Sequence, residues 1–300
     1  MRVHLVENEI RDTQAAMEQS GYIAEPAIAT AVHLARSMQK PLLIEGDAGV
    51  GKTEIAKVMA KVLDTDLIRL QCYEGLDVNT ALYEWNYQRQ LLHLRVGHDA
   101  GRAAGDLEQE MFGPDFLLAR PLLQAITHEG GSPVLLIDEI DRADDGFEAF
   151  LLEVLSDFQV TIPELGTITA KHIPYVVLTS NSTREIGDAL RRRCLYLYIE
   201  HPSLEKEVRI IRMKVPGAGE RLSGQIALFM QRLRSRHMAK APGVAETLDW
   251  AAALVDLHRD GLDPETVRLT LGCIVKDKHD LRDLDEASLE SLVHEVVAAE

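Results

Sequence analysis

Residues 41–63, PLLIEGDAGVGKTEIAKVMAKVL, restrict the fold more than any other stretch of the chain. They open on a short apolar run of β-favouring composition, pass through a glycine-spaced loop, and continue as a segment in which Ile55, Val58, Met59 and Val62 recur at three- and four-residue steps. That period places them on one face of an amphipathic helix. Four further runs share the strand character: DLIRL at 66–70, PVLLID at 133–138, YVVLTS at 175–180 and LYLYI at 195–199. Short buried strands alternating with helical stretches predict an α/β domain built on a parallel sheet that is covered on both faces.

The loop carries chemistry. GDAGVGKT at 46–53 matches the phosphate-binding pattern G-x-x-x-x-G-K-[ST], with Gly46, Gly51, Lys52 and Thr53 in register. Its glycines allow the backbone N–H groups across Gly46, Asp47, Ala48, Gly49, Val50 and Gly51 to turn inward around phosphates, and the following helix N-terminus adds positive potential. Lys52 is placed to reach the β and γ phosphates, and Thr53 to offer its hydroxyl to Mg²⁺. The expected ligands are ATP and Mg²⁺.

Two other strand ends complete this chemistry. VLLIDEID at 134–141 is a buried strand ending in acids. It puts Asp138 at the carboxyl edge of the sheet, where the nucleotide's magnesium would sit, and Glu139 beside it to orient and deprotonate an attacking water. Such a pair separates hydrolysis from binding alone. VLTSN at 177–181 brings Asn181 to the same edge, either to hold the lytic water or to sense the γ-phosphate. Further on, Arg191, Arg192 and Arg193 stand in a row in a chain of formal net charge -16, with Arg193 twelve residues after Asn181. An arginine placed on the γ-phosphate is worth ~10³ to 10⁵ in rate, roughly 4 to 7 kcal/mol. Arg193 lies too far along the chain to reach back easily to its own nucleotide, which favours action on a neighbouring subunit. For Arg191 and Arg192 the alternative is a basic helix end that satisfies carbonyls.

Composition narrows the class. The 48 acidic against 32 basic residues argue against a nucleic-acid binder that works through a broad basic face. No run approaches the ~18 apolar residues of a membrane span, and residues 1–9 lack a secretory pattern, so a cytoplasmic location is expected. Cys72, Cys194 and Cys273 are far apart in sequence and lie in apolar or strand-like neighbourhoods, which reads as buried thiols rather than metal ligands or disulfides. The 11 histidines show no ligand-like pairing.

Past residue 201 the strand signal stops. Ser203 can cap a helix that ends before PGAG at 216–219, and helical segments follow near 221–234, 245–259 and 264–278, the last begun by Asp263 as N-cap and Pro264 as first residue. The expected organisation is an N-terminal helical segment at 1–40 packed on the core, an α/β nucleotide-binding domain at 41–200 and a helical lid at 201–300. Residues 95–110 are polar and glycine-spaced and are expected to form a mobile surface segment. Two alternating runs around PELG predict a hairpin within 158–170, ahead of the strand at 175.

The series of strand, phosphate loop, acidic pair, asparagine-ending strand and arginines resembles the AAA+ ATPases, and more narrowly the MoxR family. The narrower likeness rests on DEIDRADDGFEAFLLEVLSDFQVTIPELG at 138–166 and ALRRRCLY at 189–196. There Arg193 falls on the family's arginine-finger position, with Arg192 as the alternative. LIRLQCYEGLDVNTALYEWNYQRQLL at 67–92 and FLLARPLLQAI at 116–126 are similar to the subgroup that accompanies carbon monoxide dehydrogenase-type molybdenum enzymes and von Willebrand factor A-domain partners.

The resemblance implies a homo-oligomeric, hexameric ring with ATP sites between subunits, using hydrolysis to remodel a metalloenzyme client. One departure stands out. The family carries an arginine near the start of the third lid helix, whereas KAPGVAETLDW at 240–250 has Val244 and Glu246 there. Either Arg268 in the next helix substitutes or the lid reads nucleotide differently. The inserts at 73–87 and 160–170 are candidate client-facing elements; Tyr73, Tyr83, Trp85 and Tyr87 either line such a surface or pack as core. The rival readings are a DNA-acting AAA+ motor of helicase or helicase-loader type and a small-molecule kinase.

Overall fold

The structure is a computed structural model that describes residues 2–100, 102, 103, 107, 110–236 and 238–299. The chain divides into two compact units, the first comprising Met1–Thr13, Pro26–Glu45 and Ala56–Leu197, the second Gln14–Glu25, Gly46–Ile55 and Tyr198–Glu300. Helices α1 (Arg2–Gln19) and α2 (Pro26–Met38) lead into strand β1 (Leu42–Gly46). Helix α3 (Lys52–Leu63) and strand β2 (Leu67–Gln71) follow.

All five strand-like runs form strands of one sheet. With β5 (Val134–Asp138), β8 (Tyr175–Ser180) and β9 (Leu195–Ile199), the order is β2-β5-β8-β1-β9. The pairs β2–β5, β5–β8 and β8–β1 are parallel, in registers that set Gln71 opposite Asp138 and Glu45 opposite Ser180. Every residue of β1 and β5 is buried, as expected for strands covered on both faces. Leu43, Leu135, Ile137, Val176 and Leu178 pack with Leu122, Leu123, Leu151 and Val154 of the flanking helices into the first unit's core. Burying each such side chain contributes roughly 1.5–3 kcal/mol.

An insert separates β2 from β5. Among the described residues it contains α4 (Val78–Leu82), β3 (Tyr83–Trp85), α5 (Tyr87–Asp99), a 3₁₀ turn at Pro114–Phe116, β4 (Leu117–Ala119) and α6 (Pro121–Ile126), with β3 and β4 antiparallel. Asp77 and Asn86 cap α4 and α5 through their side-chain oxygens. The four aromatics divide: Trp85 joins the core, edge-on to Phe112 and Tyr83, while Tyr73 and Tyr87 are exposed. Segment 95–110 begins as the last turn of α5, and its residues 101, 104–106, 108 and 109 lie outside the described residues.

The hairpin falls where the alternation predicts it. Helix α7 (Asp145–Asp157) runs into β6 (Gln159–Ile162), and β7 (Gly166–Thr169) returns antiparallel with Ile162 opposite Gly166. Val160 and Ile162 are buried and their neighbours exposed, the two-residue period of a half-covered strand. Short helix α8 (Asp188–Arg191) then leads into β9.

In the second unit, α9 (Leu204–Lys214), α10 (Glu220–Arg234) and α11 (Val244–Asp256) match the sequence pattern, and Ser203 accepts from Lys206 N at 3.3 Å as N-cap. The pattern fails at 264–278, which is not one helix. Helix α12 (Pro264–Thr270), capped by Asp263, gives way to a 3₁₀ turn over Leu271–Cys273, and Asp277 caps a new helix α13 (Lys278–Asp283). Thr270 is the pivot: its hydroxyl donates to Thr266 O at 2.8 Å and accepts from the buried Trp250 Nε1 at 2.8 Å. The break lets Ile274 and Val275 turn into the core. Helix α14 (Glu286–Ala298) was not anticipated, although Leu289, Leu292, Val293 and Val296 repeat at helical spacing behind the Asp285 cap. These residues pack with Phe229, Met230, Trp250 and Leu254 as the second unit's core.

The three cysteines are free thiols. Cys72 is buried, whereas Cys194, just ahead of β9, and Cys273, in the 3₁₀ turn, are half-buried. Among the described residues no helix is long and apolar enough to cross a membrane.

Candidate functional site

In the first unit β5 delivers Asp138 to the carboxyl edge of the sheet, where it is 3% exposed. Its Oδ1 accepts from the Thr179 hydroxyl at 2.5 Å. Its Oδ2 accepts from Arg69 Nε at 3.0 Å and Nη2 at 2.6 Å. Glu139 follows in the left-handed region, φ 55° and ψ 51°, with its N–H donating to Thr179 Oγ1 at 3.0 Å. A glutamate rarely adopts that conformation, and such strain persists where the surroundings fix it. The Glu139 carboxylate accepts from Gln71 Nε2 at 3.1 Å and pairs with Arg142 Nε at 2.9 Å. Arg69 also donates to Gln71 Oε1, so one chain of polar contacts joins the two acids.

Asp141 fixes the neighbouring strand end. It is buried, and it accepts from Asn181 N at 3.2 Å, Thr183 N at 3.0 Å and Thr183 Oγ1 at 2.6 Å. Burial alone would raise its pKa, but the Thr183 and Asn181 hydrogen bonds outweigh it and hold the carboxyl below the usual carboxylate range. Asn181 is thereby brought to the edge that carries Asp138 and Glu139. Cys72, whose N–H donates to Asp138 O at 2.8 Å, has its thiol pushed up to about 12, first by burial and then by the Asp138, Asp141 and Glu139 charges.

The three arginines part company. Arg191 Nη2 lies 2.7 Å from both carboxylate oxygens of the buried Glu45, and its guanidinium sits 5.5 Å from the Tyr196 ring centroid. Its partner is an internal carboxylate, not the carbonyls of a helix end. Arg193 is exposed and donates to Leu152 O at 2.9 Å, and Arg192, also exposed, forms the C-cap of α8.

In the second unit the phosphate-loop sequence leads directly into α3. Lys52 is buried, with Nζ donating to Gly46 O at 2.8 Å and Asp47 O at 2.6 Å, while Asp47, Ala48 and Gly49 are exposed, Val50 is buried and Thr53 half-buried. Gly49 has φ 78°, and its carbonyl accepts from Val244 N at 2.8 Å. A Cβ on Gly243 would lie 2.6 Å from Gly49 Cα, so the loop and the start of α11 pack backbone to backbone. Glu246 closes the α11 N-terminus, with its Oε2 accepting from Gly243 N at 2.9 Å. Behind this turn Arg234 donates to Pro242 O at 2.7 Å and pairs with the fully buried Glu207 through two contacts of 2.7 Å. His201 stands 3.5 Å from Asp47; burial and the Arg234 charge hold its pKa below the usual imidazole value.

Arg268 lies elsewhere in this unit. It is exposed on α12 and lines a cavity of about 350 Å³ with Asp263, Glu286 and Glu290. At the start of α11 the contact with the loop is made by the Val244 amide and by glycine packing.

Each unit can be matched to part of a magnesium nucleotide by its chemistry. In the second unit the loop combines a lysine ammonium and the Thr53 hydroxyl with glycines whose φ of 154°, 78° and 96° turn its amides, groups that suit phosphate. In the first unit Asp138 offers hard carboxylate oxygens of the kind Mg²⁺ selects. Sequence reasoning missed Arg69, Gln71, Thr179 and Asp141. Arg69 and Gln71 stand two apart on β2 and so share a face, a signal readable once that strand is set beside the acidic one.

A parallel sheet with a glycine–lysine loop after one strand and an acidic pair after another defines the P-loop nucleotide-binding fold. Residues 41–194, more than half of the chain, match the AAA domain of the dynein-related subfamily, and the chain belongs to that family. Two uncharacterized proteins of Staphylococcus aureus are 26% and 25% identical over 228 residues, covering 73% of this chain and 77% of theirs. Among solved structures, the RuvB Holliday junction branch migration motor of Thermotoga maritima aligns with a TM-score of 0.47 at 17% identity, over 88% of this chain and 70% of that one.

Proposed function

We propose that this protein is an ATP-hydrolysing AAA+ chaperone of the MoxR type that remodels a metalloenzyme client. The reading is carried by Glu139: a carboxylate held in a strained backbone conformation and tethered by Gln71 and Arg142, next in sequence to the buried Asp138. A protein that only bound nucleotide would have no use for so constrained a base.

In this proposal Gly46 to Thr53 hold the phosphates of ATP, with Lys52 on the β and γ groups, and Thr53 and Asp138 hold Mg²⁺. The bound metal supplies neutralisation of the charge that develops on the phosphoryl oxygens. Glu139 accepts the proton of the attacking water. Asn181, with its backbone fixed by Asp141, orients that water or senses the γ-phosphate. Arg193, exposed and bonded only to a carbonyl among its described contacts, is the side chain to serve a neighbouring subunit's nucleotide. Such a role implies a ring, as is common in the family, and a hexamer is the proposed form.

The finer assignment leans on the resemblance of 138–166 and 189–196 to MoxR sequences. On that basis the client is a carbon monoxide dehydrogenase-like enzyme and the partner a von Willebrand factor A-domain protein. The exposed Tyr73 and Tyr87 and the β6–β7 hairpin are the elements proposed to face the client.

The decisive test is Glu139→Gln. Steady-state phosphate release is expected to fall by more than about 100-fold while ATP stays bound. An unchanged rate would refute the assignment. Steeply salt-dependent stimulation by DNA would replace the chaperone reading with that of a DNA motor.

A further inference from the structure

We propose that Arg69 is a positioning residue that competes with the divalent cation for Asp138, and so sets how much magnesium the site requires. The inference rests on the nucleotide reading above. It starts from the occupancy of one carboxylate. Both oxygens of Asp138 are engaged, Oδ1 by the Thr179 hydroxyl and Oδ2 by two nitrogens of Arg69. A carboxylate offers about four lone-pair directions, and the guanidinium takes two on a single oxygen.

The geometry shows that the arginine reaches for this acid. In the β2–β5 register Arg69 stands opposite Leu136, and it is Gln71 that stands opposite Asp138. The Arg69 side chain therefore leans two residues along the edge strand to make its contacts. It remains about half exposed, while the acid is almost wholly buried. A half-exposed guanidinium can swing out to water at small cost, and a buried carboxylate cannot follow it.

Arginine stays charged at every working pH, so the competition cannot be relieved by deprotonation. A divalent cation approaching Asp138 meets a fixed positive charge on the same oxygen and must displace it or share with it. Displacement also frees Gln71, which Arg69 contacts and which in turn donates to Glu139. Arg69 thus ties the state of the metal acid to the tether of the base.

The test measures metal binding rather than turnover. The full-length chain carrying Glu139→Gln is saturated with ATP, and Mn²⁺ is titrated in while free Mn²⁺ is read by its electron paramagnetic resonance signal. Adding Arg69→Met, which keeps the apolar stem and removes the charge, is expected to lower the Mn²⁺ midpoint by about tenfold. Arg69→Lys keeps the charge without the fork and is expected to fall between, at about threefold. It also supplies the readout if the methionine variant does not fold, as judged by circular dichroism.

A fluorescent ATP analogue in EDTA reports nucleotide affinity without metal and is expected to change by less than about twofold. If that analogue binds but the Mn²⁺ midpoints of the arginine variants stay put or rise, the competition does not exist. If the chain with Arg69 intact binds no nucleotide with or without metal, the nucleotide reading itself fails, and this inference with it.

Discussion

The acid-bearing edge of the first unit and the phosphate loop of the second hold their working groups by different physics. At the acid edge, Asp138, Glu139 and Glu45 are held by Arg69, Arg142 and Arg191, cations that are 41–57% exposed. Each such cation is half exposed and can swing toward water while its carboxylate stays in place, to be met by another cation or donor. Around the phosphate loop the supports are a wholly buried ion pair, Arg234 with Glu207, and glycine backbones in contact. These have no graded alternative, since an ion pair buried on both sides has no partner that can turn to water, and a backbone clash is either present or absent. In the function proposed above, an adjustable acid edge suits a base that must engage and release, and a loop held without slack suits a phosphate cradle that must keep its shape.

The contrast predicts its largest effect at Glu207. Glu207→Ala leaves the Arg234 guanidinium buried without its carboxylate, while Thr247 loses an acceptor at 2.8 Å. The expected loss is about 3–5 kcal/mol of stability. Urea unfolding followed by the fluorescence of Trp250, packed 5.0 Å from Phe229, measures it. A loss below about 1 kcal/mol would place this pair in the same class as the exposed arginines and remove the distinction.

Next in size is Gly243→Ala. The added methyl would stand 2.6 Å from Gly49 Cα and 2.9 Å from Ala48 O, contacts that only backbone movement can relieve. The expected cost is about 1–3 kcal/mol, the range for overpacking, together with loss of hydrogen-exchange protection at the Val244 amide. Protection that survives unchanged would show that the loop yields more readily than its packing implies.

How far the sequence foretold these two regions follows the same divide. The five strands, the loop, the Ser203 and Asp263 caps and the β6–β7 hairpin were legible because each is written in a contiguous run of residues. The supports were not. Arg191 finds Glu45 across 146 residues, and Arg234 finds Glu207 across 27. Nothing in local spacing selects one carboxylate among the 48 acidic residues. Gly243 looks like an ordinary helix-preceding glycine until the backbone of Gly49 is placed against it. The break after Thr270 escaped notice because the apolar period of 264–278 continues through it, while its cause, the Trp250 indole bonded to Thr270, belongs to another helix. Helix α14 is the opposite case: its period and its Asp285 cap were in plain sight.

The smallest predicted effect separates the regions by pH. Asp141, whose folded pKa is depressed, contributes stability that is fully present above the ordinary carboxylate value of about 3.9 and is lost as the pH falls through its lower folded value. Protonation removes a charge that accepts from the Asn181 and Thr183 amides, whereas Val244 N donates to the Gly49 carbonyl, which does not titrate. On acidification below about pH 4 the Asn181 and Thr183 amides should therefore lose protection before the Val244 amide does. Asp141→Asn should make those amides exchange-prone already at neutral pH and abolish the acid step, because a carboxamide offers one accepting oxygen where the carboxylate offered two. Amide-resolved NMR across pH 3 to 7 distinguishes the outcomes. Simultaneous loss at all three amides would mean that the acid edge and the loop open as one cooperative structure, and that the adjustable edge and the rigid loop are not separate devices.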